Sequence, residues 1–119
     1  MAKVLFLDDD RTRTEAFLRR CPDATTVETA AGCIQQLQEN DWELVCLDHD
    51  LGGEVYVNSK REDCGMEVVR WVEQNCPDVK TFVVHSYNGY AAPMMVQRLR
   101  DAGYATHQLP FGALIQATR

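Results

Sequence analysis

Chemistry-bearing side chains in this sequence gather where apolar runs stop. Asp8, Asp9 and Asp10 follow Val4-Leu5-Phe6-Leu7. Asp48, His49 and Asp50 follow Leu44-Val45-Cys46-Leu47, and His85, Ser86 and Asn88 follow Thr81-Phe82-Val83-Val84. His107 lies at the end of a weaker run, before Leu109-Pro110. Acids just ahead of a helix serve as caps and dipole partners, which is a sufficient structural reason for Asp8 to Asp10 taken alone. Asp48 and Asp50 change the balance. If the two acidic runs are neighbours, four or five carboxylates crowd one rim and raise one another's pKa values. A hard divalent cation with oxygen ligands relieves that crowding, so a Mg²⁺ or Mn²⁺ site is expected. Two histidines beside such a cluster suit acid–base or metal chemistry, although one histidine at a strand end is commonly a structural hydrogen-bonding group. Ser86 and Asn88 suit a turn and a helix cap, and both can also donate to a phosphate oxygen.

Positioning these residues requires several elements. Each of the three apolar runs is short and continuous, as in a parallel strand covered on both faces. Thr25-Thr26-Val27 is a β-branched edge strand, and Tyr104 to Gln108 a weaker fifth strand. Between the strands the period changes to helical. Thr12 and Glu15 suggest a capping box before Ala16-Phe17-Leu18. Thr29 caps a helix carrying Ala30, Cys33, Ile34 and Leu37 on one face. Gly65 to Asn75 buries Met66, Val69 and Val72, and Pro77 stops it. Ala92, Met95, Val96 and Leu99 form the stripe of a fourth helix that Gly103 terminates, and Phe111 to Ala117 forms a short last one. Alternating strands and helices predict an α/β fold with a parallel sheet and helices on both faces. With no repeat, linker or low-complexity segment, residues 1–119 read as one domain. In open sheets of this kind ligands bind beyond the carboxyl ends of the strands, which is where the acids and histidines lie.

The chain has 119 residues, 45% of them hydrophobic and 25% charged, within the range of a globular domain. No apolar run approaches the ~20 residues that cross a bilayer, so no membrane role is expected. The first residues run from Val4 straight into acids, unlike a signal peptide, and a cytoplasmic location is expected. The formal net charge of −6 disfavours bulk double-stranded nucleic-acid binding. The five cysteines include no C-x-x-C pair, which disfavours a zinc cluster or a disulfide framework. The stretch from Gly52 to Asp63 is about twice the usual length of a strand-to-helix connection. It reads either as a solvated loop or as a flap, in which Tyr56 stacks on a base and Lys60 or Arg61 reaches a phosphate.

Val4-Leu5-Phe6-Leu7-Asp8-Asp9-Asp10, Leu44-Val45-Cys46-Leu47-Asp48 and Gly65-Met66-Glu67-Val68-Val69 together resemble a response-regulator receiver domain along the whole chain. The resemblance implies a flavodoxin-like sheet of order 2-1-3-4-5. Leu109 stands where receivers carry lysine before the final proline, and His85-Ser86 stands where they carry threonine or serine followed by a small residue. With Asp48-His49-Asp50-Leu51-Gly52-Gly53 and His85-Ser86-Tyr87-Asn88, the chain resembles a divergent branch, the cyclic-phosphate processing receiver domain. That resemblance implies a metal-dependent phosphoesterase acting on an RNA 2′,3′-cyclic phosphate end or a cyclic nucleotide. Asp8, Asp9 and Asp48 are the implied metal ligands. His49, His85, Asp48 and Asp50 form the implied catalytic set, and Ser86, Asn88, Lys60 and Arg61 the phosphate-binding set. The expected partner is a small phosphate-containing ligand or an RNA end. A phosphoacceptor receiver and a non-catalytic nucleotide sensor are the competing readings.

Overall fold

The computed structural model describes residues 3–118. Five strands, β1 (Val4–Leu7), β2 (Thr25–Val27), β3 (Trp42–Leu47), β4 (Val79–Val84) and β5 (Ala105–Gln108), form one parallel sheet of order β2-β1-β3-β4-β5. Five helices alternate with them: α1 (Arg11–Arg20), α2 (Ala30–Glu39), α3 (Gly65–Asn75), α4 (Ala91–Asp101) and α5 (Phe111–Ala117). The fold class, strand order and element sequence match the expectation. Among the described residues, no helix is long and apolar enough to cross a membrane.

The period-two alternation of the strands divides the interior into two layers. Leu5, Leu7, Val45, Leu47, Phe82 and Val84 point to one face, where α2, α3 and α4 bury Cys33, Leu37, Val69, Val72, Met95 and Leu99 against them. Phe6, Cys46 and Val83 point to the other, against Phe17 of α1 and Leu114 of α5, with Leu109 and Phe111 packed alongside. Both faces of β1, β3 and β4 are therefore dry, which fixes the height at which each strand delivers its next residue to the sheet edge. Cys33, Cys46 and Cys64 are buried in reduced form.

Two local readings are corrected. Thr12 and Glu15 do not form a capping box. Asp10 is the N-cap of α1, and its carboxylate accepts from the N–H of Arg13. Asp is as good a cap as Thr, and Asp10 lies where the chain first leaves the strand. β3 and β4 also begin two residues earlier than the apolar runs suggest, because Trp42 and Val79 already pair across the sheet. Thr29 does cap α2 by accepting from Gly32 N–H, and Gly103 follows α4 with φ +99°, a conformation that suits glycine.

Candidate metal and phosphate site

Parallel pairing sets Leu7 opposite Leu47, and Leu47 opposite Val84. The next residue of each strand, Asp8, Asp48 and His85, therefore emerges side by side. The ladder runs one step further to hold them: Asp48 N–H donates to Leu7 O at 3.1 Å and His85 N–H to Leu47 O at 3.0 Å. All three side chains are buried, and one ligand-type atom from each lies within 4.8 Å of the others. α3 closes against this edge. Gly65 N–H donates to His49 O, and a Cβ on Gly65 would lie 1.9 Å from the carbonyl oxygen of Asp48. Only glycine permits that approach.

Asp8 is fully engaged. Its Oδ1 accepts from Asp10 N–H at 2.9 Å and Arg13 Nη2 at 3.0 Å; its Oδ2 accepts from Arg13 Nε at 2.8 Å and His85 Nε2 at 3.1 Å. Burial opposes its charge, but the bonds from His85 and Arg13 prevail and hold its pKa at about 2. Asp48 is the reverse. Oδ1 accepts from His49 N–H, while Oδ2 is buried without a partner among the described residues, with Arg13 Nη2 3.7 Å away. Burial, reinforced by the Asp8 charge, pushes the Asp48 pKa up to about 7. A buried carboxylate oxygen left without a hydrogen bond is rare in folded proteins. With the Asp8 carboxylate beside it and Asp9 on the same cavity lining, it offers oxygen donors of the kind a hard divalent cation takes.

Above this floor lies a cavity of about 360 Å³ lined by Asp9, Asp10, Arg13, Asp48, Asp50 and Ser86 below and by Glu54, Val55, Tyr56 and Tyr87 at the rim. The rim is irregular chain held by side chains of the frame. Asp9 accepts from Gly53 N–H, and Asp50 from Tyr56 N–H at 2.8 Å and Val57 N–H at 3.0 Å. Arg70 of α3 donates to the carbonyls of Ser59 and Arg61. Tyr56 sits at φ +54° and the residue is 75% exposed. Tyr87 is 62% exposed, but its hydroxyl is pinned by Gly112 N–H at 3.1 Å.

The expected site residues divide into three groups. Asp9, Asp48, Ser86 and the Asn88 side chain line the cavity. Ser86 Oγ accepts from Asn88 N–H, which leaves its own proton free to donate. A second group supports the site from behind. His85 lies under Asp8, stacked on Phe6 at 4.8 Å, and burial lowers its pKa. His49 is equally buried between Asp50, 2.8 Å from Nδ1, and Ser59 Oγ, 3.1 Å from Nε2. Neither ring lines the cavity: His85 lies against Asp8, and His49 against Asp50. Asp50 faces the cavity and anchors the loop: its Oδ1 is engaged by His49, Val57 N–H and Asn88, and its Oδ2 by Tyr56 N–H alone. Asn88 caps α4 through Tyr90 and Ala91 N–H while donating to Asp50. The third group lies elsewhere. Arg61 pairs with Glu54 and Asp63, and neither it nor the exposed Lys60 lines the cavity. The cation that does line it, Arg13, is absent from the expected set.

A sequence model of the cyclic-phosphate processing receiver domain matches residues 3–101. No curated protein matches the sequence. Among solved structures, a signal receiver domain from Vibrio parahaemolyticus is 18% identical, with a TM-score of 0.69 over 98% of this chain and 85% of that one. A response regulator from Thermotoga maritima, solved with Mg²⁺ and BeF, is 17% identical, with a TM-score of 0.65 over 92% of this chain and 86% of that one. One from Burkholderia pseudomallei, solved with a phosphorylated aspartic acid, calcium and citrate, is 12% identical, with a TM-score of 0.66 over 100% of this chain and 67% of that one. These likenesses share the receiver fold.

Proposed function

The chain belongs to the cyclic-phosphate processing receiver domain family, and from that premise we propose that it is a metal-dependent phosphoesterase that opens a cyclic phosphate. The observation that carries this reading is Asp48 Oδ2, a buried carboxylate oxygen without a partner at the floor of an acidic cavity. Asp9 and Asp48, with Asp8, would hold Mg²⁺ or Mn²⁺, in keeping with the Mg²⁺ and calcium found with two receivers of the same fold. Such a cation supplies charge for phosphate oxygens and lowers the pKa of a water. Ser86 donates its free hydroxyl proton to a phosphate oxygen. His85 and His49 act as positioning residues that keep Asp8 and Asp50 oriented. Tyr56 and Tyr87 present exposed rings above the acids, suited to a base on an RNA end or a cyclic nucleotide. Ring opening adds one water: its oxygen bonds to phosphorus, one ester P–O bond breaks, and the proton ends on the released alkoxide.

Phosphoacceptor signalling is the weaker reading. Leu109 packs against the layer of Phe6 and Val83, so the cation that a receiver sets beside its acyl phosphate is missing at that place. Sensing without turnover is favoured by one observation, the burial of both histidines away from the cavity. Purified protein with Mg²⁺ or Mn²⁺ and a panel of 2′,3′- and 3′,5′-cyclic phosphates decides between them. Ring opening seen by phosphate and nucleotide chromatography, and lost in Asp48→Asn, is the expected result. Tight binding without product assigns the site to sensing.

A further inference from the structure

We propose that Arg13 is the resident counter-ion of the acidic floor and the phosphate ligand of the loaded site, its guanidinium leaving Asp8 when a divalent cation arrives. The inference rests on the cation of the preceding section and not on turnover.

A carboxylate offers about four lone-pair positions. On Asp8 all four are filled: Asp10 N–H and Arg13 Nη2 on one oxygen, Arg13 Nε and His85 Nε2 on the other. Two of those donors cannot withdraw. The Asp10 amide is fixed at the cap of α1, and His85 is wedged between Phe6 and Phe111 with no exposure to solvent. Arg13 can. Its side chain is 31% exposed, on the first turn of α1, at the end of a flexible stem. It also stands within 3.7 Å of Asp48 Oδ2, the buried oxygen without a partner. Guanidinium and divalent cation therefore compete for the same oxygens, and only the guanidinium has somewhere to go.

Its destination follows from the cavity. Among the described residues Arg13 is the lone Lys or Arg side chain on the lining; Lys60 and Arg61 are not there, and Leu109 is apolar. A released guanidinium swings in a space bounded by Asp10, Ser86 and Asn88, where the donors left for a phosphate are few. Its planar fork fits two phosphate oxygens as it now fits the two of Asp8. The exchange keeps charge balanced in both states: Arg13 neutralises Asp8 before loading and the ligand afterwards. Metal and phosphate binding are then cooperative, since each removes a competitor of the other.

Calorimetry with Mg²⁺ alone, followed by inorganic phosphate added to the Mg²⁺-saturated protein, tests this on wild type, Arg13→Gln and Arg13→Lys. Arg13→Gln is expected to bind Mg²⁺ about tenfold more tightly and phosphate about tenfold or more weakly, with Arg13→Lys between the two. Unchanged or weaker Mg²⁺ binding by Arg13→Gln, or unchanged phosphate affinity, overturns the proposal. A second readout needs no variant: the Arg13 Nε–H resonance of wild type should lose its hydrogen-bonded shift and exchange protection on Mg²⁺ saturation. A resonance that stays put counts against the exchange. Should these results hold while no cyclic phosphate is opened, the phosphoesterase reading fails and the role of Arg13 stands.

Discussion

The floor of the cavity and its rim are held together by different means. At the floor, Asp8, Asp48 and His85 extend three buried strands, and their neighbours are fixed by the sheet ladder and by Phe6 beneath. At the rim, residues 52–63 have no regular structure, and the backbone hangs on the side chains of Asp9, Asp50 and Arg70. The floor is therefore rigid but electrostatically costly, with a carboxylate oxygen left without a partner. The rim is easily released but nearly free of burial. A site built this way keeps its charge geometry in the strong part of the fold and its adaptable contacts in the weak part.

Four changes probe that contrast. Gly65→Ala is expected to have the largest effect, because its Cβ would enter the carbonyl of Asp48 at 1.9 Å, a backbone group that cannot step aside. A loss on the order of 4 kcal/mol is expected, near the upper end for overpacking, read as a fall in chemical-denaturation midpoint. A variant as stable as wild type would mean the floor is not rigid.

Asp48→Asn should act in the opposite direction. The folded-state pKa of Asp48 is about 7, raised from 3.8 by burial, so the folded protein takes up this proton more readily than the unfolded chain. The contribution of Asp48 to metal-free stability should therefore fall as pH rises from about 4 to 7 and level off above, while His85, whose pKa burial lowers from 6.5, acts in the opposite sense below that value. Asp8, held at about 2, acts only below that window, where its contribution is lost as pH drops. At ~1.4 kcal/mol per pKa unit, Asp48→Asn should gain a few kcal/mol at pH 8 and flatten the slope. A slope that survives the substitution points to another group.

Asp50→Ala should cost about 2 kcal/mol through four orphaned hydrogen-bond partners. Its signature is local: hydrogen exchange should accelerate over residues 52–63 and stay unchanged in β1, β3 and β4. Uniform acceleration would show that rim and floor open together. Tyr56→Ala should be the mildest, within about 0.5 kcal/mol, since the ring is exposed and its backbone already sits at φ +54°. It should nonetheless weaken binding of a nucleoside cyclic phosphate more than that of a base-free one, measured by titration. Equal weakening of both would remove the ring from the ligand site.

The floor was legible in the sequence because short runs of four residues, followed at once by Asp or His, leave few alternatives for a buried parallel strand. Asp9, Asp48 and Ser86 followed from position alone. The direction of side chains was harder. His49 and His85 follow strand ends just as the carboxylates do, and nothing in the spacing says which side chains turn inward under a neighbour. Arg13 was hidden by the misplaced cap. With Thr12 as the start of α1, Arg13 is one exposed basic residue among Arg11, Arg19 and Arg20. With Asp10 as the cap, it is the third residue of the helix, and a side chain there leans back over the preceding turn toward Asp8. The signal that finds it is the N-cap. Arg61 is taken up by opposite charges close to it in sequence, Glu54 and Asp63, a pairing that its position in a charged loop does not reveal.

Leu109 has an evolutionary consequence. It is half-buried and packs against the layer that holds Phe6, Phe17, Cys46, Val83 and Leu114. Introducing lysine there would set an ammonium stem on that apolar layer while Arg13 already balances the acids from the opposite wall. Leu109→Lys alone would therefore leave two cations beside acids that one already balances. The neighbours in the second layer and the arginine on α1 would have to change with it, and the intermediates carry either one cation too many or a packing defect.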